Sequence, residues 1–333
     1  MSEARLSVAF AGPLVTLQDG GRRGHLRFGV PASGAMDRLA FDAANAALGN
    51  PPGQTVIEVS LGGVILQCTS GAVSLAVTGG AFVVEHGSRK RRSWTVLTLD
   101  RSDRLAVRAG EGGSWAYIAL AGKIAGATWL GSQATHASSG FGGGALRSGQ
   151  VLAIEEAQTR DDRLGDIPQP AFIGAGPIRT VIGPQDHHFA KEAVAQFLQT
   201  PFTVTDAYDR MGMRLKGAAL HPQGALSIPS EPVMRGAVQV SGDGVPTVLL
   251  ADHQTTGGYP KIATVLSCET DRLVQRRSGQ DVRFAQVSAE QAVAQARAYA
   301  QAREDYLAEI AVPRGTLEQR LMRENLISGW GGV

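Results

Sequence analysis

Residues 7–19 read SVAFAGPLVTLQD, and a shorter version of this segment, IRTVIGPQD, occurs at residues 178–186. Each copy combines a short apolar strand with a Gly-Pro step and ends on Gln-Asp. A single match of this kind could arise by chance. If the chain contains a duplicated fold, further matches should follow in the same order in both halves.

Three further matches keep that order, with insertions between them. They pair residues 55–67 with 208–220, residues 71–80 with 236–244, and residues 112–124 with 257–267. Short strands hinged on glycine, repeated in this way, predict two copies of a one-helix β-barrel. We therefore expect a mainly β chain with one barrel in residues 1–165 and a second barrel in residues 170–287.

Each half also has one helical segment. In the first half Asp37 is the predicted N-cap, and Gly49 with the prolines after it ends the run. In the second half Asp186 is the predicted N-cap and Pro201 ends the run.

The C-terminal region, residues 288–333, has a third helical pattern. Ser288 and Gln291 form a capping-box sequence, and apolar residues recur at helical spacing up to Ile310. We expect a C-terminal helix and tail, docked on a barrel or on a partner protein.

Composition excludes several classes of protein. The 333 residues include 32 basic and 30 acidic side chains, a formal net charge of +2, which gives no broad field for nucleic acid or an anionic membrane. No apolar run is long enough to span a membrane, and the charged N-terminus is unlike a signal peptide, so we expect a cytoplasmic protein. The basic run at residues 88–93 is interpreted as a solvated loop between strands.

The two cysteines are interpreted as buried thiols within strands. Cys68 and Cys268 lie in different halves of the chain, and neither has the Cys/His spacing that zinc requires. His187 and His188 are adjacent, so on a helix they would point in different directions and form a poor chelating pair. We predict no metal site.

A polar, glycine-rich loop in the first half, residues 18–37, has no counterpart in the second. Such a segment can be a surface loop whose glycines only permit turns, or it can be a functional loop. Its composition does not choose between the two. In the functional interpretation Arg22 and Arg23 offer forked donors to a carboxylate or phosphate, and Asp19 orients them. The start of the following helix adds N–H donors. The candidate anion-binding residues are Gln18, Asp19, Arg22, Ser33 and Asp37.

The segment DHQTTGGYPKIATV, residues 252–265, is the strongest candidate on chemical grounds. Hydroxyl groups, backbone amides beside glycine and a lysine ammonium would converge there on an anion, while a Tyr-Pro step stiffens the loop. The alternative is a glycine-rich β-bulge with an exposed lysine. We assign catalytic roles to Lys261, Tyr259 and Thr256, and substrate or anion binding to Gln254, Thr255, Gly257 and Gly258.

Two shorter motifs complete the candidate set. Gln185 and Asp186 close the second copy of the opening segment and are candidates for substrate binding. Asp209 and Arg210 are either an internal ion pair in a turn or a clamp for the substrate. The chain has no Walker P-loop, no nucleophile elbow and no Rossmann fingerprint. The residues alone therefore predict anion binding, and no named reaction.

Five spaced motifs resemble the 5-oxoprolinase C-subunit family, which is also described as allophanate hydrolase subunit 2-related or biotin-dependent carboxyltransferase-like. They are TLQDGGRRGHLRFGVPASGAMD, ALGNPPGQTVIEVSLGG, GPQDHHF, YDRMGMRL and ADHQTTGGYPKIATV. The resemblance covers residues 10–284. It implies two tandem cyclophilin-like barrels, which agrees with the duplication.

The resemblance also implies partners and activities. Family members act with the B and A subunits of the enzyme in the ATP-dependent opening of 5-oxoproline, a cyclic amide, to glutamate. We therefore expect a hetero-oligomer with proteins similar to those two subunits, with ATP bound together with the partner. The related domain of urea carboxylase transfers a carboxyl group to urea from biotin carried on another chain. In a third branch the protein is a regulator that binds a kinase inhibitor similar to the B-type partner.

Overall fold

The computed structural model describes residues 3–223 and 228–323. It is mainly β, with two successive large sheets, a two-stranded ribbon and five α-helices in these residues. The helices are α1 (Arg38–Leu48), α2 (Lys191–Gln199), α3 (Ser267–Val274), α4 (Ala289–Ala311) and α5 (Leu317–Arg323). None of the described helices is both long and apolar enough to cross a membrane.

The first sheet has eleven strands. They are β1 (Glu3–Ala11), β2 (Thr16–Gln18), β3 (Val56–Val59), β4 (Val64–Ser70), β5 (Val73–His86), β6 (Arg89–Arg92), β7 (Thr95–Leu99), β8 (Arg104–Leu120), β9 (Lys123–Ile124), β10 (Val151–Glu155) and β11 (Gly165–Asp166). Its long strand β8 pairs with β3, β4 and β5, so the sheet curls around itself. The apolar interior draws only on residues between Ala4 and Ala157.

The second sheet has eight strands, and a ribbon of two strands lies beside it. The sheet contains β12 (Ile178–Ile182), β13 (Phe202–Tyr208), β14 (Gly212–Lys216), β16 (Ala237–Val240), β17 (Pro246–Leu249), β19 (Lys261–Val265), β20 (Asp281–Val282) and β21 (Phe284–Gln286); the ribbon pairs β15 (Glu231–Pro232) with β18 (Thr256–Gly257). All pairs are antiparallel except β12 with β21. The predicted mainly β fold, with tandem barrels and a C-terminal helix, is confirmed. The exact domain boundaries remain a prediction.

A second apolar cluster is shared by the two barrels. The cluster that fills the second barrel continues through α1 and the face of the first barrel, so that Met36, Phe41 and Trp115 belong to the same cluster as Val238 and Phe197. Polar contacts reinforce this joint: Arg235 of the second barrel donates to the carbonyl oxygens of Ala35, at 3.0 Å, and Met36.

The helix predictions have mixed outcomes. Asp37 is the N-cap of α1, where its carboxylate accepts from the Ala40 N–H, and Gly49 closes the helix in the left-handed conformation, both as predicted. The second prediction is wrong at its start: Ala190 caps α2, because Asp186 begins a separate 3-10 turn that ends before the helix.

The second barrel also carries α3, a helix that the sequence did not predict. Cys268 lies in this helix, and the expectation that it lies in a strand is therefore wrong. Cys68 is in β4 as expected, and both thiols are buried and free. The basic run at residues 88–93 is not a loop either, because Arg89–Arg92 form the exposed strand β6.

Helix α4 docks on the chain itself. Its capping box of Ser288 and Gln291 is present as predicted. Tyr306 and Ile310 are buried in the shared core, and the Tyr306 hydroxyl donates to the carbonyl of Pro168 at 2.7 Å. Because α4 touches both α1 and α3, it closes over the joint between the barrels.

Candidate functional site

Lys261 is the first residue of β19, and its side chain is almost completely buried. The residue is 3% exposed, and its ammonium nitrogen has no hydrogen-bond acceptor among residues 3–223 and 228–323. The nearest carboxylate oxygen, on Glu231, lies 3.8 Å from Nζ. A buried charge without hydrogen-bond partners costs free energy. This lysine is therefore available to an acceptor that residues 3–223 and 228–323 do not supply.

Gln185 fixes the start of β19 next to Glu231. Its side-chain oxygen accepts from the backbone N–H of Lys261 at 2.9 Å, and its amide nitrogen donates to the Glu231 carboxylate at 2.5 Å. Glu231 is half-exposed, so this contact joins a buried amide to a carboxylate at the surface. Both the lysine backbone and its nearest counter-charge are thereby held in place.

Gln239, on the neighbouring strand β16, is the second buried donor of the site. It pairs with Lys261 across the two strands, so the two side chains lie on the same face of the sheet. Its oxygen accepts from Gln254 at 3.0 Å, whereas its amide nitrogen has no partner among the described residues. A Cβ at Gly257 would overlap that nitrogen, which explains the glycine at this position.

The remaining residues of the segment 252–265 lie on the outer side of this cluster. Thr256 belongs to the ribbon strand β18 and is exposed. The carbonyls of Thr255 and Gly258 accept backbone hydrogen bonds at 3.1 and 2.8 Å, which fixes the ribbon. Tyr259 is 46% exposed and lines a cleft of about 280 Å3 together with Gln239 and Gln254. Lys261 does not line this cleft, and none of these residues accepts a hydrogen bond from the lysine ammonium.

The polar loop of the first barrel divides its side chains between the interior and a separate cleft. Gln18 is fully buried and donates to the Thr16 hydroxyl and the Thr135 carbonyl, at 2.9 and 3.0 Å. The Asp19 carboxylate accepts three hydrogen bonds at 2.7 to 2.8 Å, from Gly21, Ser132 and Gln133. Both side chains therefore stabilise the loop.

Arg22 is buried too. Its guanidinium donates to the Ala134 carbonyl and lies over the Trp129 ring, 4.9 Å from the ring centre. Burial lowers the pKa of Arg22. Ser33 is buried with a positive φ of 54°. Asp19, Arg23 and Ser33 line a cleft of about 500 Å3 that shares no lining residue with the cluster around Lys261.

Asp37 is buried at the joint between the barrels. Besides capping α1, it accepts from the Gln275 amide at 2.7 Å. Burial, followed by repulsion from Asp271, raises the pKa of Asp37 to about 7. Its structural contacts are the cap and the inter-barrel hydrogen bond.

Arg210 is the most completely buried cation in the described chain, with no exposed surface. It donates twice to Asp252 at 2.9 Å, to Glu58 of the first barrel, and to the Gly34 carbonyl at 2.8 Å. Burial opposes its charge, but the carboxylates of Asp252 and Glu58 raise the pKa of Arg210 above its ordinary value. The arrangement matches the internal ion-pair alternative and links the two barrels.

Asp209 and Asp186 lie apart from both clusters. Asp209 is exposed, and its carboxylate accepts from the backbone N–H groups of Met211 and Gly212 at 2.7 and 3.2 Å, which shapes the turn before β14. Asp186 is exposed in its 3-10 turn, beside the rings of His187 and His188, which are tilted by 40° to each other. The described residues contain no group of three His, Cys, Asp or Glu side chains arranged to hold a metal ion.

The structure thus brings together four of the predicted residues, Gln185, Gln254, Gly257 and Lys261. It adds two that sequence reasoning missed, Glu231 and Gln239. Gln239 had a readable signal, since it is a polar residue inside the apolar run AVQV of β16. Glu231 gives no such signal, because its strand has only two residues and its partner strand is distant in sequence.

Chemically, the cluster offers two buried donors on one face, an ammonium and an amide, and a carboxylate at the edge. Donors fixed in this way stabilise an acceptor oxygen that gains negative charge, because they need no reorganisation. The arrangement suits a carbonyl oxygen or an oxyanion.

Comparison with known proteins identifies the family. The model of the carboxyltransferase domain, subdomain A and B, matches residues 28–286. The C subunit of 5-oxoprolinase from Escherichia coli (strain K12) is 31% identical over 294 residues, covering 86% of this chain and 93% of that protein. Among solved structures, the crystal structure of TTHA0988 has a TM-score of 0.76 and 31% identity, covering 85% of this chain and 55% of that chain.

The urea carboxylase of Kluyveromyces lactis is a second structural relative. It has a TM-score of 0.78 and 25% identity, covering 92% of this chain and 29% of that chain. This chain therefore spans about half the length of the TTHA0988 chain and under a third of the urea carboxylase. The chain belongs to the carboxyltransferase domain family, subdomains A and B.

Proposed function

We propose that this chain is the C subunit of a cytoplasmic, ATP-dependent 5-oxoprolinase complex that opens 5-oxoproline to glutamate. The observation that carries the proposal is the pair of cross-strand neighbours Lys261 and Gln239, two buried donors on one face of the second barrel that have no acceptor among the described residues. The 31% identity to the corresponding 5-oxoprolinase chain of E. coli supports the choice of substrate.

The proposed role of the two donors follows from the chemistry of the substrate. Water adds to the carbonyl carbon of the cyclic amide, which places negative charge on the carbonyl oxygen. The ring C–N bond then breaks, and its nitrogen leaves as an amine after taking up a proton. Lys261 and Gln239 would donate to that oxygen, while Gln185 keeps the lysine backbone in position. Gln254 would hold the Gln239 amide in the orientation that leaves its N–H group free.

Tyr259 and Thr256 would act at the entrance. Tyr259 lines the cleft that leads to Gln239. In this proposal both residues contact the substrate as it enters, or the partner protein that covers it.

ATP and the partner proteins complete the proposed reaction. ATP would supply the phosphoryl group that drives ring opening, and we propose that it is bound by an A-type or B-type partner. The proposed contribution of Lys261 and Gln239 to the reaction is an oxyanion site. A hetero-oligomer with a B-type partner is part of the proposal.

The test is turnover by the reconstituted complex. The chain is co-purified with its A-type and B-type partners, and ATP-dependent release of glutamate from 5-oxoproline is measured. Removal of one donor from such a site typically lowers kcat by about 100-fold to 1,000-fold, so Lys261→Ala should cause a loss of that order without preventing assembly.

Lys123→Ala is the matched control, because Lys123 is exposed and paired with Glu156 at 2.7 Å. It should leave turnover unchanged. Full activity in an assembled Lys261→Ala complex would show that the proposed site is wrong.

Carboxyl transfer is the second candidate function. It is favoured by the fold match to K. lactis urea carboxylase over 92% of this chain. In that case biotin would be carried on another chain, and Lys261 with Gln239 would bind the carbonyl oxygen of the acceptor. Transfer of labelled bicarbonate to urea by the complex with a biotin-carrying partner, without release of glutamate from 5-oxoproline, would decide for this function.

A further inference from the structure

A cleft of about 500 Å3 lies where the first barrel, the second barrel and α4 meet. The first barrel contributes Arg23, Arg38 and Phe41, the second contributes α3, and α4 contributes Tyr299 and Arg303. Cavities of this volume at the junction of structural units are typical of small-molecule sites. Helix α4 begins after residue 286, where the match to the family model ends, so part of this cleft is formed by an element outside that match.

The inner wall of the cleft is rigid because its polar groups are paired. The carboxylate of Asp271 accepts from the backbone N–H groups of Arg38 and Leu39, at 3.1 and 3.3 Å, and from the Tyr299 hydroxyl at 3.2 Å. Arg303 of α4 is paired with Asp42 of α1. The wall is therefore preorganised across all three units.

The charges that remain free in the cleft are positive. Asp19, Asp42 and Asp271 all have their carboxylates engaged in hydrogen bonds or ion pairs. In contrast, the guanidinium groups of Arg23 and Arg38 make no hydrogen bond or ion pair within residues 3–223 and 228–323, although both line the cleft. Free donors of this kind suit the oxygens of a carboxylate or phosphate.

A partly buried neighbour adds to this positive field. Arg235 lies near Arg38 and forms no ion pair among the described residues, although the Asp271 carboxylate attracts its charge. Burial, and then repulsion from Arg38, lower the pKa of Arg235 to about 10. An anion bound beside Arg38 would offset this repulsion.

We propose that the cleft is a second ligand site, separate from Lys261, which binds a small molecule carrying a carboxylate or phosphate group. Arg23 and Arg38 bind the anionic group, and Phe41 with Tyr299 contacts the body of the ligand. Because the cleft is bounded by both barrels and α4, bound ligand holds these three units together.

The experiment is isothermal titration calorimetry of the full chain with three probes, inorganic phosphate, ADP and L-glutamate, which separate a free anion from a nucleotide and from an amino acid. At least one probe should bind with a Kd below about 1 mM, which corresponds to about −4 kcal/mol. The double variant Arg23→Gln/Arg38→Gln should weaken that binding at least about tenfold.

Two variants serve as controls. Arg101→Gln removes an exposed arginine on the turn between β7 and β8 and should leave the Kd unchanged. Lys261→Ala should also leave it unchanged, which separates this site from the proposed oxyanion site. Hydrogen exchange gives a second readout, because ligand should slow exchange of amides in α4.

Three results would overturn the proposal. They are the absence of binding by all three probes, an equal loss of affinity in Arg101→Gln, and loss of binding in Lys261→Ala with retention in the double arginine variant.

Discussion

Two buried cations of the second barrel, Arg210 and Lys261, have opposite surroundings. Arg210 has no exposed surface and donates to two carboxylates and one carbonyl. Lys261 is 3% exposed, and its ammonium has only one carboxylate, 3.8 Å away, with no hydrogen-bond acceptor in the described residues. The two side chains are buried to nearly the same extent, so they differ in their hydrogen-bond and ion-pair partners.

The comparison teaches how a buried charge should be interpreted. A cation whose donors are all used by the chain contributes to the structure, and here Arg210 ties Asp252 to Glu58 of the other barrel. A cation whose donors are unused has its desolvation cost uncompensated. Such a cost is typical of a functional site, where a ligand supplies the missing acceptors.

The largest effect should follow loss of Arg210. Arg210→Met leaves the carboxylates of Glu58 and Asp252 buried without a counter-charge, and breaking a buried pair in this way costs about 3–5 kcal/mol. Urea denaturation should show a loss of that size in the free energy of unfolding.

The control is Arg214→Met on the adjacent strand. Arg214 is paired with Asp243 at 2.6 Å, but both side chains are about half exposed, and such pairs contribute about 0–1 kcal/mol. Equal losses in the two variants would contradict the structural role of Arg210.

The fold was largely predictable from the sequence because it is duplicated. Ordered repeats around Gly-Pro, alternating strands and the capping box at Ser288 all depend on local patterns, and the structure has the predicted mainly β sheets and C-terminal helix. Helix α3 was missed because Leu266 and Cys268 continue an apolar run that began in β19, so its residues could be read as more strand.

The candidate site was predictable only in part. Lys261 and Gln185 come from motifs that are contiguous in the chain, whereas their contact with Glu231 depends on pairing between β15 and β18. Arg22 was expected to face a ligand but lies over Trp129, more than a hundred residues away. Where a long side chain lies relative to residues distant in sequence is decided by tertiary packing. A local sequence motif therefore does not predict it.

Asp37, a third buried ionisable residue, tests whether neighbouring groups also decide how a buried acid affects stability. Its pKa is raised to about 7, first by burial and then by Asp271, so the folded protein binds a proton more tightly than the unfolded chain does. The contribution of Asp37 to stability is therefore largest below about pH 4 and is lost as the pH increases through about 7. We expect a loss of about 4 kcal/mol in the free energy of unfolding between pH 4 and pH 8.

Asp37→Asn isolates this contribution. Asparagine is an equally good N-cap and can still accept from the Ala40 N–H. The variant should therefore unfold with a weaker pH dependence than the parent protein when the two are compared by urea denaturation. The same slope in both would show that other groups, and not Asp37, set the pH dependence.

Substitution of Lys261 by methionine should change the free energy of unfolding in the opposite direction from Arg210→Met. Lys261→Met removes an ammonium with no hydrogen-bond acceptor, and the Glu231 carboxylate left behind is half-exposed and can be solvated. The free energy of unfolding should increase by about 1 kcal/mol, while turnover of the complex falls. Lys123→Met at the surface is the control and should change neither quantity. If Lys261→Met were destabilised by more than about 1 kcal/mol, Lys261 would contribute to stability as Arg210 does, and the difference between the two cations would be wrong.

The smallest effect concerns Glu231, the one carboxylate within 4 Å of the Lys261 ammonium in the part of the chain that the structure describes. In the free protein it lies 3.8 Å from the ammonium, where it competes with any anionic or carbonyl oxygen for the charge. Because Glu231 is half-exposed, its attraction is screened by water and is worth less than about 1 kcal/mol. Glu231→Gln keeps an acceptor for the Gln185 amide but removes the competing charge. In the proposed 5-oxoprolinase complex, the KM for 5-oxoproline should therefore decrease by about twofold to fivefold with little change in kcat, and the decrease should be smaller at high salt. An increase in KM would mean that Glu231 holds Lys261 in its binding position and does not compete with the substrate.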